Sequence, residues 1–190
     1  MSFAKRIGRS LALLLALVLL TFTLAECHAA RRRAQMEREY FDLACTAALE
    51  YGVPAGLVLA VIRTESDFRA DAVSPAGAKG LMQLMPETFA FLRDEKFSEA
   101  LCDAAILDPA VNIRYGTYYL SYLFARFGSW SVALAAYNAG ESRVAEWLES
   151  RAYSADGKTL LVIPFPETDA YVSDTLKRYR EYTEKYQFHA

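Results

Sequence analysis

The sequence predicts an all-α domain with a substrate cleft, preceded by one N-terminal membrane helix or export signal. Between the Gly and Pro breaks, apolar residues recur at helical spacing and do not alternate as in strands. The 190 residues are 54% hydrophobic and 23% charged, which suits one well-buried domain and excludes a disordered chain. An uncharged run over residues 11–25 stands apart near the N-terminus.

This apolar run is bounded by basic residues on both sides. As a helix extended to residue 30 it would span about 30 Å, the thickness of the hydrocarbon core of a bilayer. Length therefore permits either a membrane anchor or an export signal. The flanking positive charges are Lys5, Arg6 and Arg9 before the run and Arg31, Arg32 and Arg33 after it.

The residues at the end of this apolar run bear on whether the N-terminal segment is cleaved off. Small-x-small patterns ending at Ala25 and Ala29 permit signal cleavage, but the three arginines directly afterwards favour an uncleaved anchor. We predict a signal-anchor or signal peptide at 1–30, a polar linker or helix start at 31–38, and a catalytic domain at 39–187. The domain is expected outside the cytoplasmic membrane, anchored to it, or secreted if the signal is cleaved.

Charge and cysteine content limit the classes of partner. Six of the 21 Lys and Arg residues and one of the 23 acids lie in the first 33 residues, which leaves 15 basic against 22 acidic residues in the remainder. This balance argues against nucleic-acid binding. Cys27 follows Glu26, where a lipoprotein signal would have a small residue. Cys45 and Cys102 could form a disulfide in an oxidising compartment or remain buried free thiols.

The first half of the domain contains two predicted helices and a loop. Apolar residues at helical spacing over residues 40–48 are followed by the helix breakers Gly52 and Pro54. Pro54 suits the first turn of the next helix, which runs to Glu65 or Ser66. Residues 68–80 contain Pro75, Gly77 and Gly80 and are predicted as a loop, and short helical pieces follow over residues 81–93.

The second half is predicted to be helical apart from one loop. Asp108 as N-cap and Pro109 at the first position begin a long helix that Gly128 ends. The next helix ends at Gly140, in a left-handed C-cap conformation, and "ESRVAEWLES" forms another. A loop with two prolines then leads into a last amphipathic helix over residues 167–186. We expect five or more helices around a cleft.

Glu65 is the candidate catalytic residue. At 100° per residue, with Val58 at zero, Ile62 lies at about 40° and Glu65 at about 340°, in the middle of the apolar stripe. A carboxylate on a core-facing stripe must be neutralised, paired or hydrogen-bonded. It could simply pair with Arg69 or Lys79 at a helix end. Alternatively, burial raises its pKa and makes it a general acid.

Two further segments have both an ordinary and a functional interpretation. In "SPAGAKGLMQLMP" the glycines allow the backbone to approach a ligand closely, and Gln83 offers a hydrogen-bond donor and an acceptor. Met85 has a flexible apolar side chain that can line a binding site. The same methionines could merely fill a core. "AYNAG" also fits an ordinary helix end with Tyr137 packed inside. Each segment is weak support when taken alone.

Together, four ordered motifs resemble the catalytic domain of the soluble lytic transglycosylases, a helical fold similar to goose-type lysozyme. The resemblance covers about residues 40–186. The motifs are "ES-x-F" from Glu65, "AVS" through "GAKGLMQLMP" over residues 72–86, "AYNAG" over residues 136–140, and "IPFPETDAYV" over residues 163–172. Ala70 and Asp169 depart from the family pattern, which often has proline and arginine there.

The resemblance implies roles for individual residues. It makes Glu65 the single catalytic acid and base, Ser74 a polar residue near the reacting sugar, and Tyr171 a residue that faces the glutamate. It implies substrate binding in the cleft by Gln83, Met85, Tyr137 and Asn138.

The implied reaction is non-hydrolytic cleavage of the β-1,4 bond between N-acetylmuramic acid and N-acetylglucosamine in peptidoglycan glycan strands, with 1,6-anhydro ends as products. No metal or cofactor is expected, since the only histidines, His28 and His189, lie outside the centre of the domain. The alternatives are a membrane-anchored, non-catalytic wall-binding module and a lysozyme-type muramidase.

Overall fold

A computed structural model describes the backbone of residues 3–188 and the side chains of residues 14–188. The side chains of the basic N-terminal start, and His189, lie outside these ranges. The helices are α1 Phe3–Tyr51, α2 Ala55–Ser66, α3 Pro86–Phe91, a π-helical segment Leu92–Phe97, a 3₁₀ turn Asp103–Leu107, α4 Pro109–Phe127, α5 Trp130–Ala139, α6 Glu141–Glu149 and α7 Pro166–Tyr186.

The predicted all-α class is confirmed. Within residues 3–188, extended pairing is limited to two isolated bridges, Val73 with Lys79 and Lys79 with Leu84. Two compact units are present, Met1–Glu39 and Tyr40–Ala190.

In the first unit, the large apolar side chains between Leu14 and Leu24 are each more than half exposed. In the part of the chain that the structure describes, α1 is the one helix long and apolar enough to cross a membrane, a test that an export signal near an N-terminus also passes. Residues 31–38, predicted as a linker or helix start, are helical within α1. The predicted domain limits remain a prediction.

The second unit is organised around α2. Its residues 57–62 are completely buried. α2 packs against α7, and α5 packs against α4, α6 and α7. Because α5 and α7 contact each other and α7 contacts α2, the C-terminal half of the domain encloses the end of α2, where Glu65 lies.

A second apolar cluster supports the segment between α3 and α4. It joins Leu84, Phe89, Leu92, Ile106 and Tyr115. Polar contacts reinforce the cluster: Arg114 Nη1 donates to Glu99 Oε1 at 2.6 Å and Tyr115 Oη to Glu99 Oε2 at 2.9 Å. These contacts fix the connection between the π-helical and 3₁₀ segments against α4.

Most predicted helix ends are confirmed, because they depend on local chemistry. Asp108 Oδ1 accepts from the amides of Ala110 and Val111 at 2.9 and 3.0 Å and caps α4. Gly128 ends α4 in the left-handed conformation. Gly140 ends α5, but its φ of 95° and ψ of 140° are not left-handed, so that detail of the prediction is wrong.

The helical pieces predicted over residues 81–93 begin later than expected. Residues 81–83 form turns, Leu84 pairs with Lys79 in an isolated bridge, and α3 begins only at Pro86. Gln83 has a φ of 47°, which interrupts any helix there. The cysteines do not pair: Cys27, Cys45 and Cys102 are free thiols. Cys102 is exposed, which contradicts the buried thiol that the sequence suggested for it.

Candidate active site

Glu65 lies in the last turn of α2. The helix ends directly after it because Asp67 and Phe68 both take positive φ angles, 51° and 63°. Ser66, which is buried, donates its hydroxyl to the carbonyl oxygens of Ile62 and Leu81, at 3.1 and 2.8 Å. The residue next to Glu65 thus joins the end of α2 to the segment that follows the loop.

Burial raises the pKa of Glu65 from its ordinary value of 4.5 to about 7, and the interaction with Tyr171 partly offsets this rise. The residue as a whole is partly exposed, although its carboxyl group is desolvated. Arg69 and Lys79 do not contribute to the shift, and Arg69 Nε instead donates to Ser66 O at 3.0 Å. The ordinary interpretation of Glu65 as one half of an ion pair is therefore wrong.

Two phenols, buried Tyr171 and partly buried Tyr137, lie within range of the charge of this carboxyl group. The pKa values of Tyr137 and Tyr171 are raised well above 10, mainly by burial and next by the charge of Glu65. Both hydroxyls therefore remain protonated donors at neutral pH. Tyr171 Oη is buried and has no partner that meets full hydrogen-bond geometry, while its interaction with Glu65 lowers the pKa of that carboxyl group.

The segment over residues 79–85 forms one wall of the site. Tyr137 Oη donates to the carbonyl oxygen of Met82 at 2.8 Å. Gln83 Nε2 donates to the carbonyl oxygens of Ala72 and Gly80 at 3.0 and 2.9 Å. The amino group of Gln83 is thus engaged in holding the loop, and its carbonyl oxygen is the group left for a ligand.

Asn112, on α4, organises this wall and was not identified from the sequence. Its side chain is 1% exposed. Its Oδ1 accepts from the amide of Met82 at 2.7 Å, and its Nδ2 donates to the carbonyl oxygens of Lys79 and Ile106 at 3.0 and 2.7 Å. Gly80 fits against it because a Cβ atom there would lie 2.4 Å from Nδ2. The available signal was a polar residue on the apolar face of a helix.

A cavity of about 300 Å³ lies beside this wall. Four of the predicted binding residues line it, namely Gln83, Met85, Tyr137 and Asn138. Glu65 and Tyr171 are not lining residues of this cavity, but Tyr137 connects them to it, since the charge of Glu65 affects its pKa.

Ser74 is not among the lining residues either. Its Oγ accepts from the amide of Ala78 at 3.0 Å and closes a turn of the loop. A larger cavity of about 750 Å³ between the end of α1 and the end of α7 contains none of the predicted site residues, and we do not assign the chemistry to it.

α7 supplies the opposite side of the site. Thr168 and Tyr171 lie on successive turns of one face and are both buried. Thr168 Oγ1 donates to Asn138 Oδ1 at 2.8 Å. Thr175, one turn further, donates to Thr64 Oγ1 at 3.3 Å. The first turns of α7 therefore contact the other two helices that carry predicted site residues, α2 and α5.

The fold and site together define a lysozyme-like helical domain with one desolvated glutamate beside a groove. A family model described as the transglycosylase SLT domain matches residues 42–160, and the chain belongs to this family. The chain is 38% identical over 127 residues to the soluble lytic murein transglycosylase of Escherichia coli K12, a match that covers 65% of this chain and 20% of that protein.

Solved structures of similar proteins support the same family assignment. Lytic transglycosylase Slt from Pseudomonas aeruginosa, solved as an inactive mutant, has 35% identity and a TM-score of 0.69 over 78% of this chain and 24% of its own. The 70-kDa soluble lytic transglycosylase from Escherichia coli has 34% identity and a TM-score of 0.67 over 76% and 24%. The chain thus spans between a fifth and a quarter of the length of these relatives.

Proposed function

We propose that the domain is a peptidoglycan lytic transglycosylase that cleaves the β-1,4 bond between N-acetylmuramic acid and N-acetylglucosamine and leaves 1,6-anhydromuramoyl ends. The observation that carries this proposal is the desolvated carboxyl group of Glu65, with a pKa of about 7, facing two protonated phenols. Membership of the family and the names of the relatives support the same activity.

A carboxyl group with this pKa can serve in both steps of the reaction. At pH 7 about half of the molecules carry the proton, so Glu65 can donate it to the glycosidic oxygen as the bond from that oxygen to C1 breaks. The carboxylate then takes the proton of the muramoyl C6 hydroxyl, whose oxygen bonds to C1. Glu65 ends protonated, and no water is consumed.

A hydrolytic route would need a second carboxylate. Retaining and inverting glycosidases use two carboxyl groups, about 5 to 5.5 Å or about 6.5 to 9.5 Å apart. No second carboxylate of the described residues contributes to the pKa of Glu65. The C6 hydroxyl of the substrate is then the best-placed nucleophile, because an intramolecular group has a high effective molarity.

The test is digestion of purified peptidoglycan followed by mass analysis, with Glu65→Gln as the matched control. We expect fragments lighter by one water than hydrolysis products, with muramoyl ends that borohydride does not reduce. Reducible muramoyl ends would instead assign a lysozyme-type muramidase. If the wild-type protein released no fragments but bound the wall polymer, the non-catalytic binding module would be correct.

We further propose that the apolar part of α1 anchors the domain at the outer face of the cytoplasmic membrane. Its exposed leucines and the three arginines after it support an uncleaved anchor. Cell fractionation with N-terminal sequencing tests this. We expect an intact N-terminus in the membrane fraction, and a soluble extracytoplasmic protein beginning at Glu26 or Ala30 would show that the segment is a cleaved signal.

A further inference from the structure

The buried polar face of α7 makes a contact that none of the assigned roles explains. Thr168 is 2% exposed, so its hydroxyl is shielded from water and needs a partner within the protein. That partner is Asn138 Oδ1, at 2.8 Å. Asn138 itself is exposed and lines the cavity of about 300 Å³. A hidden hydroxyl is thus bonded to an amide that borders the groove.

This hydrogen bond selects one orientation of the Asn138 amide. A hydroxyl group that donates requires the amide oxygen, and not the amide nitrogen, on its side. With Oδ1 turned towards α7, the Nδ2 group is left to donate elsewhere. In a rotated amide the Nδ2 group would donate to the Thr168 oxygen, but the Thr168 hydroxyl hydrogen would lose Asn138 Oδ1, its acceptor among the described residues. A buried donor left without an acceptor is costly. Thr168 therefore determines the direction of the Asn138 Nδ2 group, although it contacts only the Oδ1 atom of the amide.

We propose that Thr168 is a positioning residue that keeps the Asn138 Nδ2 group available to the cavity, where it donates to the carbonyl oxygen of a substrate N-acetyl group. The identity of the ligand rests on the proposed function, because an N-acetylated glycan carries an amide carbonyl as a strong uncharged acceptor. The orientation of the amide rests on the hydrogen bond alone. Thr168 thereby contributes to selection for N-acetylated over free-amine sugars.

The experiment compares two matched variants of the full chain by calorimetric titration. Thr168→Val keeps the shape of the side chain and removes the donor, whereas Thr168→Ser keeps the donor. The probes are a tetramer of N-acetylglucosamine and the corresponding tetramer of glucosamine. Binding is measured because it does not depend on turnover, so a wild-type protein that fails to cleave peptidoglycan would refute the proposed function without deciding this inference.

We expect Thr168→Val to weaken binding of the N-acetylated tetramer by roughly 5- to 30-fold, the effect of misplacing one hydrogen-bond donor, and to leave binding of the glucosamine tetramer unchanged. Thr168→Ser should bind both probes as the wild type does. Equal weakening for both probes, no weakening, or equal losses in the Val and Ser variants would overturn the proposal. So would failure of the wild type to prefer the N-acetylated tetramer.

A second variant covers the case in which Thr168→Val does not fold. Asn138→Asp keeps an oxygen for the Thr168 hydroxyl and replaces the Nδ2 donor with a second acceptor, at an exposed position where folding tolerates the change. We expect it to lose the preference for the N-acetylated tetramer. A preserved preference in Asn138→Asp would contradict the role of Nδ2 independently of Thr168.

Discussion

Tyr137 donates its hydroxyl to the carbonyl oxygen of Met82 at 2.8 Å and so joins α5 to the wall of the groove. The two residues are far apart in sequence, yet this bond holds Tyr137, a lining residue of the cavity, against the segment over residues 79–85. The wall is held from the other side by Asn112, which accepts from the amide of Met82. Met82 is thus fixed at both of its backbone polar groups by side chains of other helices.

Removing the Tyr137 hydroxyl should weaken this wall. In Tyr137→Phe the Met82 carbonyl oxygen loses its partner, and because Met82 is fully buried we expect a loss of about 1 to 3 kcal/mol in the free energy of unfolding. Tyr119→Phe is the matched control, since it lines the same cavity with its ring centroid 5.5 Å from that of Tyr137. Denaturant titration of both variants checks this, and equal losses would argue against the role of the Met82 bond.

Two glycines of the loop provide a matched pair for the role of Asn112. Gly80 and Gly77 have φ angles of 80° and 90°, so alanine at either position carries a similar backbone strain of about 1 to 2 kcal/mol. Only at Gly80 does the new Cβ collide with Asn112, whereas Gly77 has open space. We expect Gly80→Ala to be less stable than Gly77→Ala by a further 1 to 3 kcal/mol, roughly the cost of overpacking. Thermal unfolding measures the difference, and matching stabilities would show that Asn112 yields easily.

Glu65→Gln should abolish activity while changing the pH dependence of stability. General acid and base loss costs about 10² to 10⁴ in rate. The pKa of Glu65 is about 7 in the folded protein against 4.5 ordinarily, so between these pH values the folded state holds a proton that the unfolded chain has released. The stability that Glu65 contributes is therefore fully present below pH 4.5 and is lost as the pH rises through 7.

The Glu65→Gln variant has no titratable proton at this position, so it lacks this pH-dependent contribution. Relative to Glu65→Gln, the wild type should lose as much as about 3 kcal/mol of unfolding free energy between pH 4 and pH 8. Urea unfolding of both proteins at the two pH values measures this difference. Parallel pH dependence of the two proteins would mean that Glu65 is not desolvated, and retention of more than about a tenth of wild-type turnover would remove it from the acid and base role.

The pH profile of the reaction should respond to Tyr171. Because the first step needs protonated Glu65, kcat/KM should fall about tenfold per pH unit above pH 7. Tyr171 lowers the pKa of Glu65, so Tyr171→Phe should raise that pKa and move the alkaline limb to higher pH. Initial rates measured from pH 5 to pH 9 test the direction. A limb that stays in place, or moves to lower pH, would contradict the contact between the two side chains.

Sequence reasoning was most successful where a structure depends on its own neighbourhood. The Asp108 cap, the stop at Gly128 and the limits of α2 follow from local hydrogen bonds and backbone preferences, and the structure confirms them. It failed over residues 81–85, where a helical piece was predicted. There the backbone is set by Tyr137 and Asn112, whose distance along the chain no local pattern reveals.

For the site, periodicity placed Glu65 on the apolar stripe of α2, and the family motifs supplied its predicted partners. The structural role of each residue became clear only from the tertiary packing. Gln83 holds its own loop, Ser74 closes a turn, and Thr168, absent from the prediction, orients Asn138. These roles depend on which partner each side chain bonds to and in which direction, and residue identity alone does not determine either.

The sequence by itself determined that this protein is helical, where most of its helices begin and end, and that a glutamate lies on a core-facing stripe, because these depend on side-chain spacing and backbone chemistry within a few residues. Only the tertiary structure determined the pKa of that glutamate. Its pKa of about 7 arises from burial beside Tyr171 of α7 and Tyr137 of α5. Desolvation depends on everything that excludes water from a carboxyl group, and here the excluding residues come from helices more than 60 positions away in the chain.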